Sequence, residues 1–211
     1  MLSHRLVAGQ EDETIKTFLS SLARMKGIPR SGWISHGVAL QDVESVADHS
    51  FSTCVLSLLL SDLEVKAGKR VNVERVLRLA LLHDMPESLT FDISKEYLEY
   101  LGRRGRAIKS ELERAAWKHI ADGLEEPDLR RNYTRFQKEF DAERTMESRL
   151  VHAADRLDIL LQVVEYRRRG YPESLLEDLW TKTNSKLRDS RLASVRKLQR
   201  ILVQEAKRLQ A

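Results

Sequence analysis

Apolar residues recur at helical spacing along most of this 211-residue chain, and no segment alternates with period two for long enough to make a strand. That pattern restricts the chain to an all-α fold. Nine Gly and four Pro leave few breaks, so long helices are expected. "ETIKTFLSSLARMK" places Ile15, Phe18, Leu19, Leu22 and Met25 on one face, and "GIPRSGW" then interrupts it. "ESVADHSFSTCVLSLLLSDL" reads as a second helix, capped by Ser45 with Asp48. Its apolar residues from Phe51 to Leu60 lie almost all round, which predicts a central, buried helix. "NVERVLRLALLHD" is a third, with Asn72 as cap and Val73, Val76, Leu77, Ala80 and Leu81 as its stripe. After a turn at "DMPESLTFD", a helix is predicted from Arg106 to Leu124. Leu129, Tyr133, Phe136 and Phe140 then keep helical spacing. "TMESRLVHAADRLDILLQVVEYRRRG" is a long helix that stops at Gly170. A basic amphipathic helix, from about Asp189 to Leu209, closes the chain.

Composition narrows the class further. With 42% hydrophobic and 32% charged residues the balance is globular rather than disordered. The length fits one domain over 1–211, or a domain with extensions. A net charge of +4 suits an anionic ligand without demanding nucleic acid. The single cysteine, Cys54, cannot form an internal disulfide and is expected to pack as a small core residue in a reducing compartment. No apolar stretch approaches the roughly 18 residues that a spanning helix needs. The first residues lack a signal-peptide pattern, so a cytoplasmic location without membrane contact is expected.

Against this background four ionisable groups stand out. His49, His83, Asp84 and Asp155 all fall on helical faces that the apolar pattern assigns to the core. Burying an isolated carboxylate is costly unless a cation or several donors meet it. A bound divalent metal would satisfy all four groups. Mixed nitrogen and oxygen ligands suit Mn, Co, Ni, Fe or Zn. An octahedral ion held by four protein ligands keeps positions open for water and substrate. Simpler explanations exist for each residue alone. A lone histidine is more often a hydrogen-bonded core group, and Asp155 could pair with Arg149 or Arg156.

The ordered segments "ADHS", "LLHDMPE" and "HAADRLD" resemble the HD-domain metal-dependent phosphohydrolases. Within them the chain is most similar to the 5′-deoxynucleotidases of the YfbR type and their HD-domain-containing protein 2 relatives. "LARMKGIPRSGW", "ESVADHSF" and "HDMPESLTFDI" carry that finer likeness, which covers about residues 13 to 170. It implies an all-α HD-domain bundle, with 171–211 as a helical extension. It implies one divalent ion (Mn, Co, Ni, Fe, Mg or Zn) on His49, His83, Asp84 and Asp155. Glu87 would be the catalytic carboxylate. Asp92 would act near the leaving oxygen or orient Glu87, and it could also cap the "ISKEYLEYL" helix. Arg30 would clamp phosphate with its fork of donors, and Trp33 would pack on the sugar. The nucleotidase type has Arg and Trp adjacent. This chain has "PRSGW", the spacing of the protein 2 relatives, so sugar discrimination by Trp33 stays open. Lys95 is a further candidate for holding phosphate. His152 is either a partner of the metal ligands or incidental, and His36 carries no assigned role.

The implied reaction is hydrolysis of deoxyribonucleoside 5′-monophosphates by a homodimer or higher homo-oligomer. Two alternatives remain at this level. One is an HD phosphohydrolase acting on a guanosine polyphosphate or a nucleoside triphosphate. The other is a non-catalytic helical module that binds nucleic acid or a partner, against which the presence of both Glu87 and Asp92 argues.

Overall fold

The computed structural model describes residues 15–209, apart from the side chain of Lys95. Among them there is no strand, only an isolated bridge between Pro29 and Ser45. The helices are α1 (15–25), α2 (Ser31–Ser35), α3 (Val46–Lys66), α4 (Val73–Leu82), α5 (Glu87–Thr90), α6 (Lys95–Glu99), α7 (Arg103–Asp122), α8 (Pro127–Ala142), α9 (Met146–Arg168), α10 (Glu173–Arg188) and α11 (Ala193–Arg208). The expected caps form. Ser45 and Asp48 make a reciprocal capping box, and Asn72 accepts from the Arg75 amide. Thr145 opens α9 in the same way, and Gly170, with φ of 89°, follows its end.

The central helix is α9, not α3. It packs against α3, α4, α8, α10 and α11, and Leu150, Val151, Ala154, Leu157, Leu160 and Val163 are sealed from solvent. Having neighbours on every side, α9 is the helix that takes an all-round apolar environment. Helix α3 buries a narrower strip in which Thr53, Ser57 and Ser61 accompany His49 and Leu60. Small side chains at those positions let α3 lie close against its neighbours. Its apolar surplus, Phe51, Val55, Leu58 and Leu59, is exposed. An apolar run that encircles a helix does not say which face will be covered, and here a small-residue face won.

Other faces are also rotated from their expected settings. In α1, Phe18 and Met25 turn inward with Ser21, whereas Ile15, Leu19 and Leu22 are exposed. In α4, Leu79 and Leu82 are buried and Leu81 is exposed. Helix α7 starts at Arg103, ahead of the expected Arg106. Cys54 packs at the edge of the core, and burial pushes its thiol up to about 11.

Helix α4 ends at Leu82, and residues 83–86 form a turn before α5. That turn and the start of α5 present His83, Asp84 and Glu87 on the side of the first turn of α3 and the middle of α9. The Ser57 hydroxyl is buried without a hydrogen-bond partner. Ser57→Leu should therefore cost about 1–3 kcal/mol through overpacking, whereas Ser57→Ala should be neutral or stabilising. Urea denaturation of the two variants checks this.

Candidate metal and phosphate site

His49 lies in the first turn of α3 and is fully buried. Its Nδ1 is 2.7 Å from Asp158 Oδ2, so that nitrogen carries the proton and donates it. His83, at the end of α4, has Nδ1 2.7 Å from the Ala80 carbonyl, which can only accept. Both rings therefore direct an Nε2 lone pair into one space. Neither Nε2 has a hydrogen-bond partner although both are buried. His49 Nε2 is 3.2 Å from Asp155 Oδ1 and 3.5 Å from Asp84 Oδ2, and His83 Nε2 is 3.3 Å from the same Asp84 oxygen. His49, His83 and Asp155 offer ligand atoms within 4.8 Å of one another. Two orphaned lone pairs facing carboxylate oxygens fit a divalent cation.

The electrostatics state the same demand. Burial and Arg30 push the His49 imidazole down, but Asp155, Asp158 and Asp84 outweigh them, and its pKa is pushed up to about 10. The surrounding carboxylates favour positive charge at this point, and a metal ion would supply it in place of the proton. Burial opposes ionisation of Asp84, yet His83, Arg30 and His49 hold its carboxyl well below the usual range.

Arg30 precedes α2 and reaches across the site. Its Nη1 is 3.2 Å from Asp84 Oδ2 and 3.7 Å from Glu87 Oε2, and its Nε is 4.0 Å from Asp92 Oδ2. Glu87 is buried, and burial with the charges of Asp84 and Asp92 pushes its carboxyl well above the ordinary value, against Arg30 and Lys109. Asp92 accepts from the Ser31 amide at 2.7 Å. It does not cap α6; Ser94 does, by accepting from the Glu96 amide. Asp92 instead fixes the start of α2 and, through it, Arg30.

These groups open on a cavity of about 340 Å³, which Trp33, Lys109, Phe140 and His152 also line. Trp33 is nearly sealed; its Nε1 donates to Glu44 Oε1 at 2.8 Å, and its ring meets Tyr166 edge-on. His152 stacks on Phe140 at 4.1 Å and donates from Nε2 to the Phe140 carbonyl. It is a wall of the cavity, and burial pushes its imidazole down. His36 holds the rim, 3.0 Å from Glu96 Oε1. The Lys95 side chain lies outside the described residues.

Two residues went unseen in the sequence. Asp158 follows Asp155 by three on α9, so helical spacing could have flagged it. Lys109, whose Nζ is 3.6 Å from Glu87 Oε1 and 3.0 Å from Glu113 Oε1, had no local marker within the charged helix α7.

A model of the HD domain matches residues 22–195 of the chain. A human protein named 5′-deoxynucleotidase HDDC2 is 29% identical over 88% of this chain and 84% of its own. The Schizosaccharomyces pombe protein named 5′-deoxynucleotidase hdd1 is 30% identical over 74% of each. A crystal structure of a Pyrococcus horikoshii protein superposes with a TM-score of 0.72 at 29% identity, covering 92% of this chain and 99% of that one. The chain belongs to the HD-domain family, and within it to the phosphohydrolases.

Asp158 sets the tautomer of His49. Asp158→Asn should weaken a divalent ion held at His49 by about 10- to 100-fold, as equilibrium dialysis with Mn²⁺ or Co²⁺ would show.

Proposed function

We propose that the protein hydrolyses deoxyribonucleoside 5′-monophosphates to deoxynucleoside and phosphate, using one divalent metal ion. The observation that carries this is the pair of partnerless Nε2 atoms of His49 and His83, set among carboxylates beside Arg30. His49, His83, Asp84 and Asp155 would hold the ion. When bound, the ion supplies Lewis acidity and stabilises the charge that develops at phosphorus.

The remaining chemistry belongs to the chain. Arg30, charged at any working pH, exchanges contacts with carboxylates for contacts with phosphate oxygens. Glu87 takes a proton from the attacking water. As the water oxygen bonds to phosphorus, the bond to the 5′ oxygen breaks, and that proton passes to the departing alkoxide. A carboxyl raised by burial is a suitable carrier because its affinity for the proton lies nearer neutral pH. Asp92 positions Arg30, and Lys109 places positive charge beside Glu87. Trp33 walls the sugar, its ring held by Glu44 and Tyr166.

Size favours this substrate over the alternatives. A cavity of about 340 Å³ lies at the low end of ligand pockets, typically about 300–1,000 Å³, which suits a monophosphate better than a triphosphate or guanosine polyphosphate. The relatives named 5′-deoxynucleotidase point the same way. Exposed apolar residues on α1 and α3, among them Leu19, Phe51 and Val55, support a homodimer as the working form. Among the described residues no helix is long and apolar enough to cross a membrane. A reducing cytoplasm suits the lone Cys54.

Phosphate release from deoxy and ribo 5′-monophosphates, after metal stripping and restoration of single metals, tests the proposal. Metal-dependent release favouring deoxy substrates is expected, with Glu87→Gln lowering kcat by about 10²- to 10⁴-fold. Release unaffected by metal removal or by Glu87→Gln would contradict it. The pH profile gives a second test. Turnover should rise with pH as Glu87 loses its proton. The Lys109 charge lowers the Glu87 pKa, so Lys109→Met should move that limb to higher pH. An unmoved limb would assign it to another group.

A further inference from the structure

Phosphoester hydrolysis leaves the basic C-terminal helix of this chain without a role. A second cavity, of about 1040 Å³, opens where the end of α3, the first turns of α9 and the α10–α11 junction meet. Seven Lys and Arg line it against two Glu. That local excess is larger than the +4 of the whole chain, so the rest of the molecule is close to neutral. Both glutamates are already engaged. Glu64 is buried and accepts from the Ser194 amide at 3.3 Å and from the Ser194 hydroxyl. Glu143 lies 3.5 Å from Arg156. Among the described residues, Lys69, Arg149, Arg191, Lys197 and Arg200 have no carboxylate within ion-pair distance. Like charges gathered in a concave surface repel one another and raise the local concentration of anions.

We propose that this cavity binds the polyphosphate chain of a small molecule. The number of cations calls for more than one phosphate group. Guanidinium groups such as Arg149 and Arg191 match phosphate oxygens in pairs. No aromatic side chain lines the cavity, so nothing offers a base a stacking surface. Recognition therefore rests on the phosphates, and inorganic triphosphate should bind as well as a nucleoside triphosphate. The concave form, floored by Leu63, Met146 and Leu187, suits a small ligand better than a nucleic-acid strand. The site is separate from the catalytic cavity. Helix α9 divides them, with Ala153 and Arg156 on this side and His152 and Asp155 on the other.

Calorimetric titration of the full-length protein without added metal tests the site. Inorganic tripolyphosphate, ATP and a 12-base-pair DNA duplex would be titrated into the wild type, Lys197→Glu/Arg200→Glu and Arg30→Ala. Tripolyphosphate and ATP should bind the wild type within about threefold of each other, because no base contact distinguishes them. Reversing two exposed charges should weaken both by at least about tenfold while phosphate release from the monophosphate is unchanged. Arg30→Ala should leave both affinities unchanged. Should the charge reversal fail to fold, Arg191→Gln/Lys197→Gln replaces it, with weakening of both ligands again expected. Any of four results would overturn the proposal: no saturable binding, binding indifferent to these charge variants, binding lost in Arg30→Ala, or ATP far tighter than tripolyphosphate. A duplex bound more tightly than tripolyphosphate would make the surface a nucleic-acid site instead.

Discussion

The site depends on a charge balance around two buried imidazoles. His49 and His83 each spend one nitrogen on a fixed acceptor, Asp158 or the Ala80 carbonyl, and direct the other into a space bordered by Asp84 and Asp155. Carboxylates at this depth are stable only against positive charge. Arg30 supplies part of it, bridging Asp84, Glu87 and Asp92. A divalent ion would complete it. Of the groups that would hold the ion, Asp84 also acts on Glu87: burial raises the Glu87 carboxyl first, and the Asp84 and Asp92 charges raise it further against Arg30 and Lys109.

The fold supplies the precision. Three elements bring the candidate ligands together: the first turn of α3, the turn between α4 and α5, and the middle of α9. The small inward face of α3 lets His49 approach Asp155 and Asp158. On α9, Asp158 is enclosed by the core, whereas Asp155 is half-buried and faces the cavity. Asp92, by accepting the Ser31 amide, ties the start of α2 to the same centre. The proposed phosphate clamp and the proposed ligand set are therefore held in one packed unit.

Much of this was legible in the sequence. Helical periodicity excluded a sheet, and the capping residues Ser45 and Asn72 marked real helix starts. The four ionisable residues on apolar faces were visible because burial of charge is expensive enough to need a reason. What stayed hidden was tertiary. The apolar ring of α3 could not show which of its faces would meet α9. Asp92 resembles a cap, but the path of the chain gives that place to Ser94. Lys109 reaches Glu87 from a helix far along the chain, with nothing local to mark it. The second basic cavity is likewise assembled from α3, α9, α10 and α11, although the basic character of α11 was apparent from its residues.

Whether a divalent ion belongs between His49 and His83 can be read from thermal unfolding of the metal-stripped protein with and without added Mn²⁺ or Co²⁺. At about 100 times the dissociation constant, binding to the native state adds roughly 2.7 kcal/mol, a rise in Tm of about 5–10 °C for a chain of this size. That rise is expected in the wild type and should be absent in His83→Ala. Equal midpoints with and without metal, or the same rise in both proteins, would contradict it.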